Sequence, residues 1–326
     1  MSYTLSTKQP REYDFTFKNF YIKNTFEHDV VYITESELLI IEGFVYDFNS
    51  NKNLNAEEII ALLKRRRELK GVLPDHITGQ YNLIYLSDDK IDVLNDFVGM
   101  KPLYYHFGSE IYITNNIYSL SEFDFKLDDI ALFQSMVGNS YIPVNTRTYF
   151  EGVKLLRNGE YLSYDIDSKK LEFLIDSMEM LNNKITTDDV LNFVDLIKQN
   201  ANIYSKTFTR ITLPISGGVD SRVTLSSFCK LDENFNLVSY GEKDYIDNKI
   251  AKQLSSLIGL PHRNISFKES LFPTIEQFDE MIENGGDSPT NQSAVVKGNV
   301  VATVEKAALA LGICSGVAKG DMVYTP

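Results

Sequence analysis

The chain has no tryptophan and only two cysteines, Cys229 and Cys314, in 326 residues. Two thiols are too few for a disulfide framework or a zinc site. Both lie in apolar surroundings that suit small buried side chains. No apolar run approaches the ~20 residues a helix needs to span a bilayer. The opening stretch, MSYTLSTKQPREYDF, lacks the hydrophobic segment of a secretory signal. These absences predict a cytoplasmic protein with no membrane partner. Positive charge is also short. Lys and Arg number 32 against 45 Asp and Glu, a net charge of −13. Such a chain has no general attraction for phosphate backbones or anionic lipid, which argues against nucleic acid as a partner. No internal repeat or low-complexity tract occurs.

What is present is ordinary globular material. Hydrophobic residues make up 43% and charged residues 24%, and the length suits two domains. Tyr (19) and Phe (20) supply the aromatic core that tryptophan does not.

The first half reads as short strands and turns. Residues 30–34 and 37–46 are rich in β-branched and aromatic side chains, and Glu35-Ser36 between them suits a hairpin. Asn55 caps a predicted helix, AEEIIALLKRR, with acids first and bases last as the helix dipole favours. The run Lys64-Arg65-Arg66-Arg67 reads as a solvated helix end. Further strands are expected at 80–86, 90–96, 102–107 and 110–116, and around 152–154 and 160–164. This dense series predicts antiparallel layers.

Residues 176–187 (DSMEMLNNKITT) break the pattern and mark a domain boundary. Beyond them Val190, Leu191, Val194 and Ile197 are spaced for one helix face, with Thr187 as cap. Strands at ITLPI, 236–240 and 263–265 then alternate with helices. One of these is YIDNKIAKQLSSLIG, stopped by Gly259 and Pro261. Helices are also expected near Pro273 and over 299–311. Alternation of this kind predicts a parallel sheet covered on both sides.

The strongest chemical signal is LPISGGVDSR, 213–222, between a predicted strand and helix. Gly217 and Gly218 let backbone approach a ligand without a Cβ in the way. The free N–H groups of the turn and helix start, including that of Val219, face an anion. Ser216 and Ser221 add hydroxyl donors, and Asp220 suits a divalent cation beside phosphates. The Gly-Lys-Ser/Thr of a Walker A loop is absent.

This string resembles the PP-loop of ATP pyrophosphatases, SGG-x-D-S. The segment VSYGEKDYIDNKIAKQLSSLIGLPH resembles the second block of asparagine-synthetase-type domains, through Tyr240, Gly241, Asp247, Gly259 and His262. CSGVAKGDMVY resembles the third block, through Ser315, Gly316, Gly320 and Asp321, with Met322 where that block has Glu. The first half is similar to class II glutamine amidotransferase domains. LIIEGFVYDF matches their Gly-x-x-Tyr-Asn segment, and GQYNLIYL with Gly99 to Tyr105 matches their later core. FEGVKLLRNGEYL matches their Gly-x-x-x-Leu-Pro-Pro-Gly segment.

The resemblance implies an α/β and α+β architecture. An Ntn-hydrolase-like antiparallel β-sandwich would span 1–180 and a parallel-sheet PP-loop domain 187–326. It implies ATP and Mg²⁺ as cofactors. Leu213, Ser216 to Ser221, Val238, Tyr240, Gly241 and Gly316 would form the nucleotide site, and Asp220 and Asp321 would hold the metal. The strand end at 238–241 would present backbone groups to adenine. Residues 285–292 read equally as substrate-facing or as a polar loop.

Two departures qualify the match. Active amidotransferases use an N-terminal Cys as nucleophile and base. Here no Cys precedes Cys229, and Ser2 follows Met1. Their Asn-Gly is Glu42-Gly43 here. The expectation is a domain that does not hydrolyse glutamine, as in β-lactam synthetase and lasso-peptide cyclases. Second, members continue past the third block and supply a catalytic lysine. This sequence stops at Pro326, and nothing shows that Lys319 replaces that lysine, so no catalytic residue is assigned. A split enzyme whose partner chain supplies the missing segment, a truncated form and a degenerate relative all fit.

The leading expectation is an AMP-forming carbon–nitrogen ligase that adenylates a small-molecule or peptide carboxylate and joins it to an amine. The alternative is an incomplete nucleotide-binding subunit or pseudoenzyme. RNA thiolation by a PP-loop is disfavoured by the acidic charge and the lack of paired reactive cysteines.

Overall fold

The computed structural model describes residues 3–24, 30–69, 73–99, 101–137, 145–175, 186–228, 230–265, 275, 308–310 and 322–324. The chain forms two compact units, with a division after Asp176.

Unit 1 opens with β1 (Tyr3–Ser6), β2 (Phe15–Phe17) and β3 (Phe20–Asn24). Then come β4 (Val30–Ile33), β5 (Glu37–Asp47), β6 (Lys52–Asn53) and helix α1 (Ala56–Leu69). Four strands follow: β7 (Ile77–Ser87), β8 (Lys90–Asn95), β9 (Tyr104–Phe107) and β10 (Ile111–Thr114). A 3₁₀ turn (Ile117–Glu122), helix α2 (Asp129–Val137), β11 (Lys154–Leu155), β12 (Glu160–Asp165) and β13 (Lys170–Ile175) complete it.

These strands make two antiparallel sheets, β11-β9-β10-β1-β3-β2 and β13-β12-β8-β7-β5-β4, with β6 on β5. The sheets bury one core between them, where Leu5, Ile22 and Ile113 of one meet Ile40, Ile84 and Leu162 of the other. The outer face of the second sheet packs Leu39, Leu83 and Leu94 against Ile59, Ile60 and Leu63 of α1. On the outer face of the first, Tyr104 and Tyr112 pack against Leu120 and Phe123. Alternate residues of β5 therefore enter two different cores, which is why its sequence is apolar almost throughout.

The predicted hairpin at Glu35-Ser36 is present as β4–β5. Asn55 caps α1: its Oδ1 accepts from Glu58 N at 2.9 Å, and Glu58 Oε2 accepts from Asn55 N at 3.0 Å. The solvated reading of the basic run fails at Arg66, which is 4% exposed. Four consecutive positions complete a helical turn, so part of the run must face the sheet, and Arg67 also reaches buried Asp92 there.

Unit 2 contains α3 (Thr187–Thr207), β14 (Ile211–Pro214), α4 (Val219–Ser227), β15 (Phe235–Tyr240), α5 (Ile246–Ile258) and β16 (His262–Ile265). β17 (Ala308–Ala310) and β18 (Met322–Tyr324) are its last described strands. The sheet order is β16-β15-β14-β17-β18. All pairs except β17–β18 are parallel.

Three local expectations need correction here. The cap of α3 is Thr186, which forms a capping box with Asp189. Val190, Leu191 and Val194 on its expected inner face are exposed, and burial falls instead on Ala201, Ile203 and Tyr204. Residues 308–310 are a strand, not the end of a helix. A short apolar run does not reveal its own period, and parallel pairing to β14 selects the extended form there. Apart from Ile275, the helix expected near Pro273 lies outside the described residues, as do 299–307 and 311 of the expected 299–311 helix and residues 285–292.

Candidate functional site

The motif corner follows β14, the central strand of the parallel sheet. The chain runs from β14 outward to β15 and β16, then returns to β17 on the other side of β14. The carboxyl end of β14 is therefore a topological switch point. Open α/β sheets bind ligands in the crevice at such points.

Leu213 is buried in β14 and Ile215 N donates to Val238 O at 2.8 Å. Ser216, Gly217 and Gly218 form the turn, and Val219 and Asp220 open α4 on its exposed side. Ser221 ties the turn together. Its Oγ accepts from Ser216 N at 3.1 Å and lies 3.1 Å from Ser216 Oγ. Ser216 Oγ accepts from Gly218 N at 3.1 Å. A Cβ on Gly217 would stand 2.7 Å from Ile250 Cδ1 and 2.8 Å from Asp247 Oδ1. The glycine is what allows α5 to approach the turn.

Gly217 N donates to Asp247 Oδ1 at 2.9 Å. An amide suited to a phosphate oxygen is thus held by an internal carboxylate. By sequence Asp247 marks only the second block and has no place in the nucleotide site. Its position three residues after Asp244 in an exposed helix start carries no signal that it reaches back to the motif.

The second strand end is also engaged. Gly241 N donates to Ile265 O at 2.9 Å, and Gly241 O accepts from Asn264 Nδ2 at 3.2 Å. Asn248 Nδ2 donates to Glu242 O at 2.6 Å. Burial raises the Tyr240 phenol above its usual range. His262 Nε2 lies 2.9 Å from Ser239 Oγ, and burial, followed by the Lys252 charge, lowers its pKa.

The structure thus brings Ser216 to Ser221 beside Val238 through β14–β15 pairing, and adds Asp247. Gly316 and Asp321 lie outside the described residues, as do Ser315, Lys319 and Gly320. Met322 is in β18, opposite Ala310. Among the described residues no cluster of three or more His, Cys, Asp or Glu side chains could hold a metal ion. Asp220 by itself offers an exposed carboxylate at a helix start, which suits a Mg²⁺ that keeps waters and is carried by substrate phosphates. A cavity of about 270 Å³ in unit 2, lined by Phe208, Lys230 and Asn234, lies at the opposite end of β14 and β15 from the motif. At the motif corner, Gly218, Val219 and Asp220 are exposed.

In unit 1, Glu42 is 5% exposed and saturated with donors. It accepts from Asn82 Nδ2 at 2.8 Å, Tyr3 Oη at 3.2 Å and Lys101 Nζ at 3.0 Å. Met1 and Ser2 lie outside the described residues.

Comparison with known protein families finds no match, and comparison with curated proteins finds none. Among solved structures, the allosteric regulatory enzyme of purine biosynthesis aligns over 72% of this chain at 10% identity and a TM-score of 0.28. Glutamine phosphoribosylpyrophosphate amidotransferase from B. subtilis, complexed with ADP and GMP, aligns over 76% at 10% identity and a TM-score of 0.25. The chain spans 62% and 51% of the length of these two structures. Among the described residues no helix is long and apolar enough to cross a membrane.

Proposed function

We propose that the chain is an AMP-forming carbon–nitrogen ligase, organised like the asparagine-synthetase proteins its motifs resemble. ATP binds at 216–221, a substrate carboxylate attacks the α-phosphorus, pyrophosphate leaves, and an amine then displaces AMP. The observation that carries this reading is the SGGVDS turn at the switch point of the parallel sheet. The hydroxyls of Ser216 and Ser221 and the amides at the start of α4 hold the leaving pyrophosphate, and the positive end of that helix balances its charge. Mg²⁺, held by Asp220 and by Asp321, would neutralise charge on the phosphates. Unit 1 is read as an Ntn-hydrolase-like domain that hydrolyses no glutamine. The lysine-paired carboxylate of Glu42, where amidotransferases keep an asparagine, supports that reading.

The test is ATP–pyrophosphate exchange by the purified chain with Mg²⁺ over a panel of carboxylates including aspartate. Exchange that depends on one acid and disappears in Asp220→Ala is the expected result. No exchange with any acid, despite measurable ATP binding, would overturn the ligase reading.

The Gly217–Asp247 contact favours a second reading, a nucleotide-binding subunit without complete chemistry. On that reading the carboxylate competes with phosphate for the amide. Tighter ATP binding by Asp247→Ala, with exchange absent in both proteins, would favour it.

A further inference from the structure

Arg222 directly follows the SGGVDS motif and has no place in the assignments above. It lies in the opening turn of α4 and is exposed. Helical side chains lean toward the N-terminus of their helix. Arg222 follows that lean back to the cap residue, where its Nε donates to Gly218 O at 3.2 Å. The guanidinium therefore rests on the motif turn itself.

The opposite edge of the guanidinium is free. Among the described residues its two terminal nitrogens meet no acceptor, and no carboxylate, Asp220 included, pairs with the side chain. This is an unfavourable place for a lone cation. The N-terminus of a helix already carries partial positive charge, and a basic side chain is stabilised at the other end. An anion held between the start of α4 and the guanidinium satisfies both.

The turn has need of such a cation, because its own amides are engaged. Ser216 N donates to Ser221 Oγ at 3.1 Å, Gly217 N to Asp247 Oδ1 at 2.9 Å and Gly218 N to Ser216 Oγ at 3.1 Å. Three amides that would otherwise face a phosphate are thus bonded within the protein. Arg222 brings a full charge and two parallel donors to the same spot. That fork matches two oxygens of a phosphate group, which a backbone amide or a lysine does not.

We propose that Arg222 is a nucleotide-binding residue of this chain, its two terminal nitrogens gripping the pyrophosphate half of ATP. The assignment rests on the nucleotide reading of the SGGVDS corner and names the side chain that recognises polyphosphate there. When a carboxylate attacks the α-phosphorus, the oxygen bridging the α- and β-phosphates takes the bonding electron pair. Negative charge therefore grows on the leaving pyrophosphate, where a fixed cation stabilises it most.

The experiment is isothermal titration calorimetry on the full chain with ATP, inorganic pyrophosphate and AMP, each with Mg²⁺. Arg222→Gln should weaken ATP and pyrophosphate by about tenfold or more. AMP, which lacks the pyrophosphate, should bind the wild type and the variant alike. Arg222→Lys keeps the charge without the fork and should fall between the two. The side chain is exposed, so the urea midpoints of both variants should match the wild type. Unchanged affinity of Arg222→Gln for ATP and pyrophosphate, or an equal loss for AMP, would overturn the assignment and leave the nucleotide reading standing. A wild-type chain that binds neither ATP nor pyrophosphate would overturn both.

Discussion

Gly43 adopts φ 91°, and a Cβ there would stand 2.0 Å from the carbonyl oxygen of Gln80 on the adjacent strand. Residues of β5 and β7 are paired along all 11 positions of both strands, so neither can retreat locally. Gly43→Ala combines a left-handed backbone with a clash against main chain and should cost about 3 kcal/mol or more. Urea unfolding checks this, and a loss below about 1 kcal/mol would mean the strands part more easily than their pairing implies. His262 offers a test with the opposite character, since it concerns a proton. Its folded pKa lies below the ordinary 6.5, because burial and then Lys252 disfavour the imidazolium. The unfolded chain therefore binds the proton more readily. Stability from this residue is present above pH 6.5 and declines as pH falls below 6.5 toward the folded pKa. The unfolding midpoint of the wild-type chain should fall more steeply on acidification than that of His262→Gln. Parallel pH profiles would show that the imidazole is as well solvated folded as unfolded.

Among the elements, α1 is the one whose sequence states its own boundaries. The Asn55 and Glu58 exchange, the early acids and the burial of Ile59, Ile60 and Leu63 all agree. Asn55→Ala should cost about 1 kcal/mol, read as a lower urea midpoint with an unchanged slope; no change would mean sheet packing alone fixes the helix start. Strands β5, β7 and β8 were legible for the same reason: each carries a strong apolar pattern between turn residues. The first 24 residues were not legible. Their strand β1 reads YTLS, half polar, yet all four residues are buried. Thr4 lies 3.1 Å from Thr114 Oγ1, and Ser6 Oγ donates to Lys8 O at 2.6 Å. A polar side chain such as Thr4, whose partner lies across 110 positions of sequence, looks like loop until that partner is known. The same limit hid Arg66. Charge within a basic run announces solvent, and only the sheet beneath α1 reveals that Arg66 and Arg67 turn inward. The motif corner was legible because glycine, serine and aspartate are constrained locally, whereas Asp247 reaches it across 30 positions.

For the whole molecule, linkage tests the nucleotide reading without requiring turnover. A ligand that binds only the folded chain stabilises it by about 2.7 kcal/mol at a hundredfold excess over its Kd. The wild-type chain should therefore gain thermal stability from ATP with Mg²⁺, and Asp220→Ala should lose that gain. Calorimetric unfolding measures both and resolves whether the ligand moves one transition or the whole profile. If Asp220→Ala kept the full ATP gain, the nucleotide would bind away from the SGGVDS turn.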